Sequence, residues 1–460
     1  MRAFTHGTVI DTITGSELPD YTVLVNRGLI ATVGPTSQVD IPEQATVVDA
    51  TGKYLIPGLA DMHIHSDEDD RIDPPLQVVS GVTLVREMWG KAYHHDWRRR
   101  VDDGTLLGPQ WVIGSKLIDG VPSLWSDIPG GHEADLITIR NVEEVRRAVG
   151  QAQDSGADFL KVYSRVPAEL YPVLLDEAAR RDIPVMGHRP DRVQLTDVIE
   201  RGQRSLEHVH ALWPAMSRNA ESLEQAMAEI APKPGDGVLY TDWFQQLNEV
   251  EWNAANTYSP YAAKDIFERM VANDVAYTPT LVMHRLLDNP ASARMQDDRM
   301  RYVASETRDF WPVVLDMIYT RGRTADEGAK RLLLFEWRLH AVAAMAAAGV
   351  RILAGTDLGT GFLYPGFALH EELELFARAG LSPLRALQTA TIEPARFLGK
   401  DHERGSIRPD NVADLVILNA NPLDDIRNTQ RIHSVMVRGR YLGPDDRRRI
   451  LDEVAAAAAE

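Results

Sequence analysis

Short apolar runs separated by glycine occupy the first 57 residues: Ala3 to Ile10, Tyr21 to Val25, Leu29 to Val33 and Thr46 to Val48, punctuated at Gly7, Gly15, Gly28 and Gly34. The pattern predicts a small β unit. It returns at Ala413 to Leu418 and again at Ser434 to Arg440. Neither terminal piece can bury a face alone, so residues 1–57 and 403–460 are expected to join as one composite β-sandwich. Between them the period changes. Candidate strands Leu55 to His63, Val82 to Glu87, Trp111 to Ser115, Phe159 to Tyr163, Pro184 to His188, Ser205 to His208, Ala276 to Thr280 and Ile352 to Asp357 alternate with helical stretches. Among the helices are Val142 to Gln153, behind the cap-like Asn141, and Ala168 to Arg181. Eight strands alternating with helices predict an α/β fold, a (β/α)8 TIM barrel over 58–402. Two intervals near 210–274 and 281–328 exceed ordinary loops. Both follow a strand, so they emerge at the face where a barrel carries its chemistry and are expected to form a lid. The tail from Asp445 to Glu460 reads as a helix whose arginines, Arg447 to Arg449, face solvent.

Composition narrows the chemistry. The 460 residues are 44% hydrophobic and 25% charged, as in a globular enzyme. Cysteine is absent, which excludes disulfides and thiolate metal sites and leaves nitrogen and oxygen as ligands. A net charge of -18 argues against nucleic acid as a partner. Met1 to Gly7 lacks a basic leader, and no window is long and apolar enough to span a bilayer, so a cytoplasmic protein without membrane contact is expected.

The most informative stretch is Gly58-Leu59-Ala60-Asp61-Met62-His63-Ile64-His65. Alternate residues on a strand share a face, so two imidazoles point together where the strand gives way to the polar loop 66–70. Reading the last residues of the other strands adds Lys161, His188, His208 and Asp357. In a barrel those ends converge, so six candidate metal ligands would meet at one mouth. Lys161 lies in the apolar run Phe159-Leu160-Lys161-Val162, where burial lowers an ammonium pKa. A neutral amine there can take up carbon dioxide and become a carbamate able to bridge two metals. Pairing with a substrate carboxylate is the competing role.

These ligands, together with Gly81-Val82-Thr83-Leu84-Val85-Arg86-Glu87, Ala354-Gly355-Thr356-Asp357, Ala386-Leu387-Gln388-Thr389-Ala390-Thr391, Gly405-Ser406-Ile407-Arg408-Pro409 and Ala413-Asp414-Leu415-Val416, resemble the amidohydrolase superfamily over nearly the whole length. The branch is that of imidazolonepropionase-like proteins and metal-dependent Xaa-Pro dipeptidases (prolidases). The resemblance implies that His63, His65 and Asp357 hold one divalent metal, that His188 and His208 hold a second, and that carboxylated Lys161 bridges them. Zinc is the expected metal, with manganese, cobalt and iron also suited to such ligands. Two such ions about 3.5 Å apart supply hydroxide at neutral pH, and Asp357 is the expected general base and then acid. Hydrolysis of an amide bond in a small acylated amino acid, dipeptide-like compound or natural product follows. The same site could instead open a lactone or ester. A mononuclear deaminase fits less well, because an acid usually follows its fifth-strand histidine and Arg189-Pro190 stands here. The dipeptidases usually carry a tyrosine at the position of Pro190, so peptidase specificity does not carry over. A scaffold without activity is at odds with the intact ligand set.

Substrate contacts are expected from His132, in Gly130-Gly131-His132, and from Tyr163, Arg189 and His284. His94 and His95 are expected at the surface. Trp213, Trp243, Phe244, Trp252 and Tyr258 in the first insertion would line an apolar pocket or a subunit interface. The resemblance implies a homo-oligomer.

Overall fold

The computed structural model describes the chain except residues 129–132, 209–211, 234 and 236. Strands from both termini form a single hydrogen-bonded sheet of eight. Arg2–Ile10 lies at its middle, antiparallel to Glu17–Asn26 and parallel to Thr46–Asp49 and Tyr54–Pro57. Leu415–Leu418 pairs antiparallel with Tyr54–Pro57, and Ile432–Val437 and Arg440–Leu442 extend that edge. One continuous sheet thus stands where the sequence predicts a sandwich of two. Its period-two alternation supplies both cores. Leu55, Leu415, Ile417 and Met436 pack with Phe4 and Val23 on one face, whereas Ile56, Val416, Leu418 and Val435 join the main core of the molecule on the other.

The expected strand from Leu55 to His63 is two strands, Tyr54–Pro57 in the terminal sheet and Leu59–Ile64 beyond it. The break falls at Gly58, whose amide donates to the Asp414 carbonyl and whose Cβ, if present, would lie 2.1 Å from Thr83 Oγ1. Only glycine permits that approach.

The remaining strands are parallel. Leu59–Ile64, Val82–Glu87 and Gln110–Ile113 form one sheet; Leu136–Thr138, Leu117–Asp119, Leu160–Val162, Val185–Gly187, Ser205–Glu207 and Ala276–Thr278, in that order, form another. Single bridges run from Gly114 to Phe159, from Tyr277 to Ile352 and from Ile64 to Leu358. The eighth expected strand, Ile352 to Asp357, carries one such bridge, at Ile352, instead of a ladder. Its physical cause is local: the amides of Thr356 and Asp357 both turn onto the His63 carbonyl. Met62, Leu84, Val112, Phe159, Met186 and Leu353 pack against one another with Phe397 in an inner core.

The helices follow their caps. Asn141 accepts a hydrogen bond from the Glu144 amide and starts Val142–Asp154, while Tyr171–Arg180 starts with Pro172 in its first turn. The long intervals are helical: Ala220–Ala228, Leu239–Asn256 and Pro260–Ala272 in the first, Leu281–Asp288 and Ser305–Val314 in the second, which runs into Ala325–Ala347. The last helix is Pro444–Ala457. Arg447 departs from the expected solvated face, because Nε donates to the Val79 carbonyl and Nη1 to that of Ile432. No described helix is long and apolar enough to cross a membrane.

Candidate metal centre

His63 and His65 end the Leu59–Ile64 strand, whose ladder shifts register between Asp61 and Ile64. Asp61 fixes this turn. Its carboxylate accepts from the His63 amide at 3.2 Å, the Thr356 amide at 3.0 Å and the Thr356 hydroxyl at 2.8 Å, so the strand end and the Asp357 turn are one unit. Burial pushes Asp61 up to about 7. Gly355 makes the approach possible, since a Cβ there would fall 2.8 Å from that of His63. His63 Nε2 and His65 Nε2 each lie 3.2 Å from Asp357 Oδ1. The ring of His208 is 4.7 Å from that of His63 and 4.8 Å from that of His188. One donor atom from each of His63, His208 and Asp357 falls within 4.8 Å of the others. His208 and Asp357 reach these positions with left-handed backbones, φ 65° and 59°. Backbone strain of this kind persists where the surroundings over-determine it.

The Nδ1 atoms of the histidines are engaged from outside. His63 Nδ1–H donates to Glu207 Oε2 at 2.9 Å, which leaves the buried Nε2 facing Asp357. His188 Nδ1 meets the Ser164 hydroxyl at 2.9 Å and His208 Nδ1 the Thr280 hydroxyl at 2.8 Å. His65 Nδ1 lies 3.6 Å from Glu87 Oε1. Such contacts select a tautomer and aim the other nitrogen.

Lys161 is fully buried, and its Nζ has no hydrogen-bond partner. Burial lowers its pKa to about 8, with Glu207 and Asp357 opposing. Burial would raise Asp357, but His63 and His208 hold it well below the usual carboxylate range. Glu207 is likewise held low against its burial by Arg86 and His63. An anion flanked by imidazoles, and a buried lysine that has no hydrogen-bond partner and loses its proton easily, match the donor chemistry of a divalent metal site with a carbamate ligand.

His65, His188, His208 and Asp357 open into a cavity of about 290 Å³, which Tyr163 and His284 also line. Trp89, Trp125, Tyr240, Phe244 and Trp311 give it an aromatic wall drawn partly from both long insertions. Of the other sequence candidates, Arg189 does not line this cavity. Its Nε donates to the Val193 carbonyl and Nη1 to Glu224 at 3.0 Å, because a buried guanidinium needs a carboxylate more than a pocket does. His132, with Gly130 and Gly131, lies outside the described residues. Of the aromatic set in the insertion, Phe244 alone faces the cavity; Trp213 and Trp243 are core residues, and Trp243 Nε1 donates to Asp191.

His94 corrects the expectation of exposure. It lies on the helix Ala92–Asp102, is fully buried, faces the cavity and holds Nε2 3.3 Å from Glu87 Oε2. Burial pushes its pKa down to about 4, so it is neutral at pH 7. Sequence reasoning passed over Glu87, Arg86 and Glu207 as site residues. Arg86 donates to Glu207 at 2.9 Å and to the Met62 carbonyl at 2.6 Å, joining three strands beneath the histidines. Charged residues inside otherwise apolar strands were the available signal.

The sequence profile of the Amidohydrolase family matches residues 54–442. Ochratoxinase from Aspergillus niger is 23% identical, over 92% of this chain and 82% of its own length. Adenine deaminase 3 from Rhizobium meliloti (strain 1021) is 37% identical over 70% of this chain and 57% of its own length. Among solved structures, a bottromycin amidohydrolase superposes with a TM-score of 0.74 at 23% identity, covering 99% of this chain and 90% of its own.

Proposed function

This chain belongs to the amidohydrolase family, and from that premise we propose that it hydrolyses the amide bond of a small molecule at a binuclear metal centre. The observation that carries the reading is the convergence of His63, His208 and Asp357 donors beside the buried, partnerless Nζ of Lys161, at the floor of an aromatic cavity. In this reading His63, His65 and Asp357 would hold one divalent ion and His188 and His208 another, and Lys161, carboxylated by carbon dioxide with release of a proton, would be a ligand to both; zinc suits the donor set. A metal bound there would supply a water of lowered pKa and polarise the scissile carbonyl. Asp357 takes the proton of the attacking water and passes it to the leaving nitrogen, so the C–N bond breaks to a carboxylate and an amine. His63 and His65, both 3.2 Å from Asp357 Oδ1, hold that carboxylate in place. Tyr163 and His284 contact the substrate, and His132 is retained as a third contact.

We further read the parallel strands as a closed (β/α)8 barrel over 58–402. The bridges from Gly114 to Phe159, Tyr277 to Ile352 and Ile64 to Leu358 support it by linking the two parallel sheets at both ends. Residues 1–57 and 403–460 form its supporting domain, and the two insertions form its lid.

The test is elemental analysis of metal per chain in wild type and Lys161→Ala, prepared with bicarbonate, combined with amine release from N-acyl amino acids and dipeptides before and after chelation. Two metals in wild type, loss of at least one in the variant and chelator-sensitive amine release are expected. One metal or none in a fully metallated wild type overturns the binuclear reading. Turnover confined to lactones, or ammonia release from adenine, overturns the amide.

A further inference from the structure

We propose that the outer face of the helix Ala325–Ala347 seats a second copy of this chain, docked antiparallel about Leu333. The helix is apolar on two sides. Inward it buries Leu334, Phe335, Leu339, Val342 and Met345, whereas outward it exposes Leu332 to 48%, Leu333 to 55% and Trp337 to 36%. No other helix among the described residues exposes more than two large apolar side chains. Half-buried Trp252 of Leu239–Asn256, and Tyr258 just beyond that helix, continue the patch. The Tyr258 ring lies 6.1 Å from that of Trp337, and Lys330 Nζ lies 5.9 Å from the Trp252 ring. Neither Trp252 nor Tyr258 lines the catalytic cavity. A contiguous apolar patch of this kind marks an interaction surface.

Charge and symmetry select the occupant. Copies of a chain with net charge -18 repel over most of their surface. On this face the acids are already neutralised from within, since Asp326 pairs with Lys330 at 3.0 Å and Glu336 with Arg378. With about 3.6 residues per turn, Asp326, Ala329, Trp337 and His340 all fall within about 40° of Leu333. They are evenly disposed before and after it, so a second helix turned end for end sets Ala329 level with the partner's Trp337 and Asp326 level with the partner's His340. Small meets large and acid meets imidazole, twice over, which is the self-complementarity of a two-fold interface. Lys330 falls on the flank of the partner's Trp337, an ammonium beside an indole as it already is at Trp252. Leu239–Asn256 lies on that same flank, so each copy contributes two helices, the breadth that a stable interface of about 1,200–2,000 Å² requires. Inward, Arg331 and Arg338 of the docked helix hold Asp288 and Glu251, so the second copy backs the helices that bring His284 and Phe244 to the cavity.

The test uses the full chain at micromolar concentration. Sedimentation equilibrium should give wild type the mass of a dimer or of an even multiple of the chain. Leu333→Asp should about halve that mass, with an unchanged circular dichroism spectrum and melting transition to show that it is folded. Because the chain has no cysteine, Leu333→Cys carries a single thiol, and at a two-fold axis that thiol meets its own copy. Mild oxidation is expected to give a disulfide-linked dimer on a non-reducing gel about tenfold faster than for Tyr261→Cys, a position 88% exposed on the helix Pro260–Ala272. A monomeric wild type overturns the proposal and leaves the stripe to another partner. An oligomer whose mass Leu333→Asp does not change overturns it as well, as does equal crosslinking from the two positions.

Discussion

Glu207 shows how much of this centre depends on residues that touch no substrate. Its carboxylate serves His63 Nδ1 and Arg86 at 2.9 Å each, all three groups being fully buried. Glu207→Gln leaves Arg86 without a buried counterion, so a loss of about 3–5 kcal/mol is expected in chemical denaturation. Because His63 also loses the acceptor that selects its tautomer, metal affinity should fall about 10–100-fold in competition with a chelator. Unchanged metal affinity would show that His63 is held by packing alone. The candidate ligands themselves were legible, because histidines spaced at strand ends are conspicuous in a chain without cysteine. Glu87, Glu207 and His94 were not. Each acts through a partner on another strand or helix, and such pairing leaves no spacing to read in a single sequence. Arg189 misled for the same reason: its neighbour in sequence is a candidate ligand, whereas its partner in space is Glu224.

Helices carry much of the cavity wall; one buried polar cluster holds those helices and a second holds Phe367–Ala379. Arg338 donates to Glu251 at 2.7 Å and to Asp288 at 2.8 Å, and Arg331 to Asp288 at 3.1 Å, joining Leu239–Asn256, Leu281–Asp288 and Ala325–Ala347. Phe244, His284 and Leu287, which face the cavity, ride on the first two. Arg338→Ala strands the buried Glu251 carboxylate and leaves Asp288 with Arg331 alone, so a loss of about 3–5 kcal/mol in urea unfolding is expected. The second cluster centres on His370 of Phe367–Ala379, which donates from Nε2 to the Ser80 carbonyl at 2.9 Å and meets the Thr429 hydroxyl through Nδ1, also at 2.9 Å. Burial pushes its pKa down to about 4 from 6.5. The unfolded chain then binds the extra proton between those values, so His370 makes stability fall with acidification from pH 6.5 toward 4, by up to about 1.4 kcal/mol per unit. In His370→Gln that component should disappear from the pH dependence of the unfolding free energy; an unchanged slope would assign the acid sensitivity elsewhere. Sequence periodicity found most strands and several helices here, yet placed a continuous strand across Gly58 and a ladder at Ile352 to Asp357. Backbone approach and carbonyl competition decide those points, and hydrophobic period carries neither.

At the scale of the molecule, the terminal sheet is shared by distant parts of the chain, and its pairing was legible because apolar β segments at each end need a partner. Whether they make two sheets or one depends on hydrogen-bond register, which the pattern does not contain. Removing 403–460 strips Leu415–Leu418 and Ile432–Val437 from the Tyr54–Pro57 edge and opens both faces of the sheet. The truncated chain is therefore expected to be insoluble or to lack a cooperative thermal transition, as calorimetry or circular dichroism would reveal. A soluble truncation with a sharp transition would show the parallel-strand unit to be self-sufficient. The shared sheet also sets a schedule for biosynthesis. Tyr54–Pro57 leaves the ribosome roughly 360 residues ahead of Leu415–Leu418, and at about 5–20 residues per second its edge waits on the order of tens of seconds for that neighbour. Throughout that interval the nascent chain presents one unpaired edge of an apolar strand whose other edge is already covered by Arg2–Ile10, and a chaperone acting on this protein would have its longest engagement there.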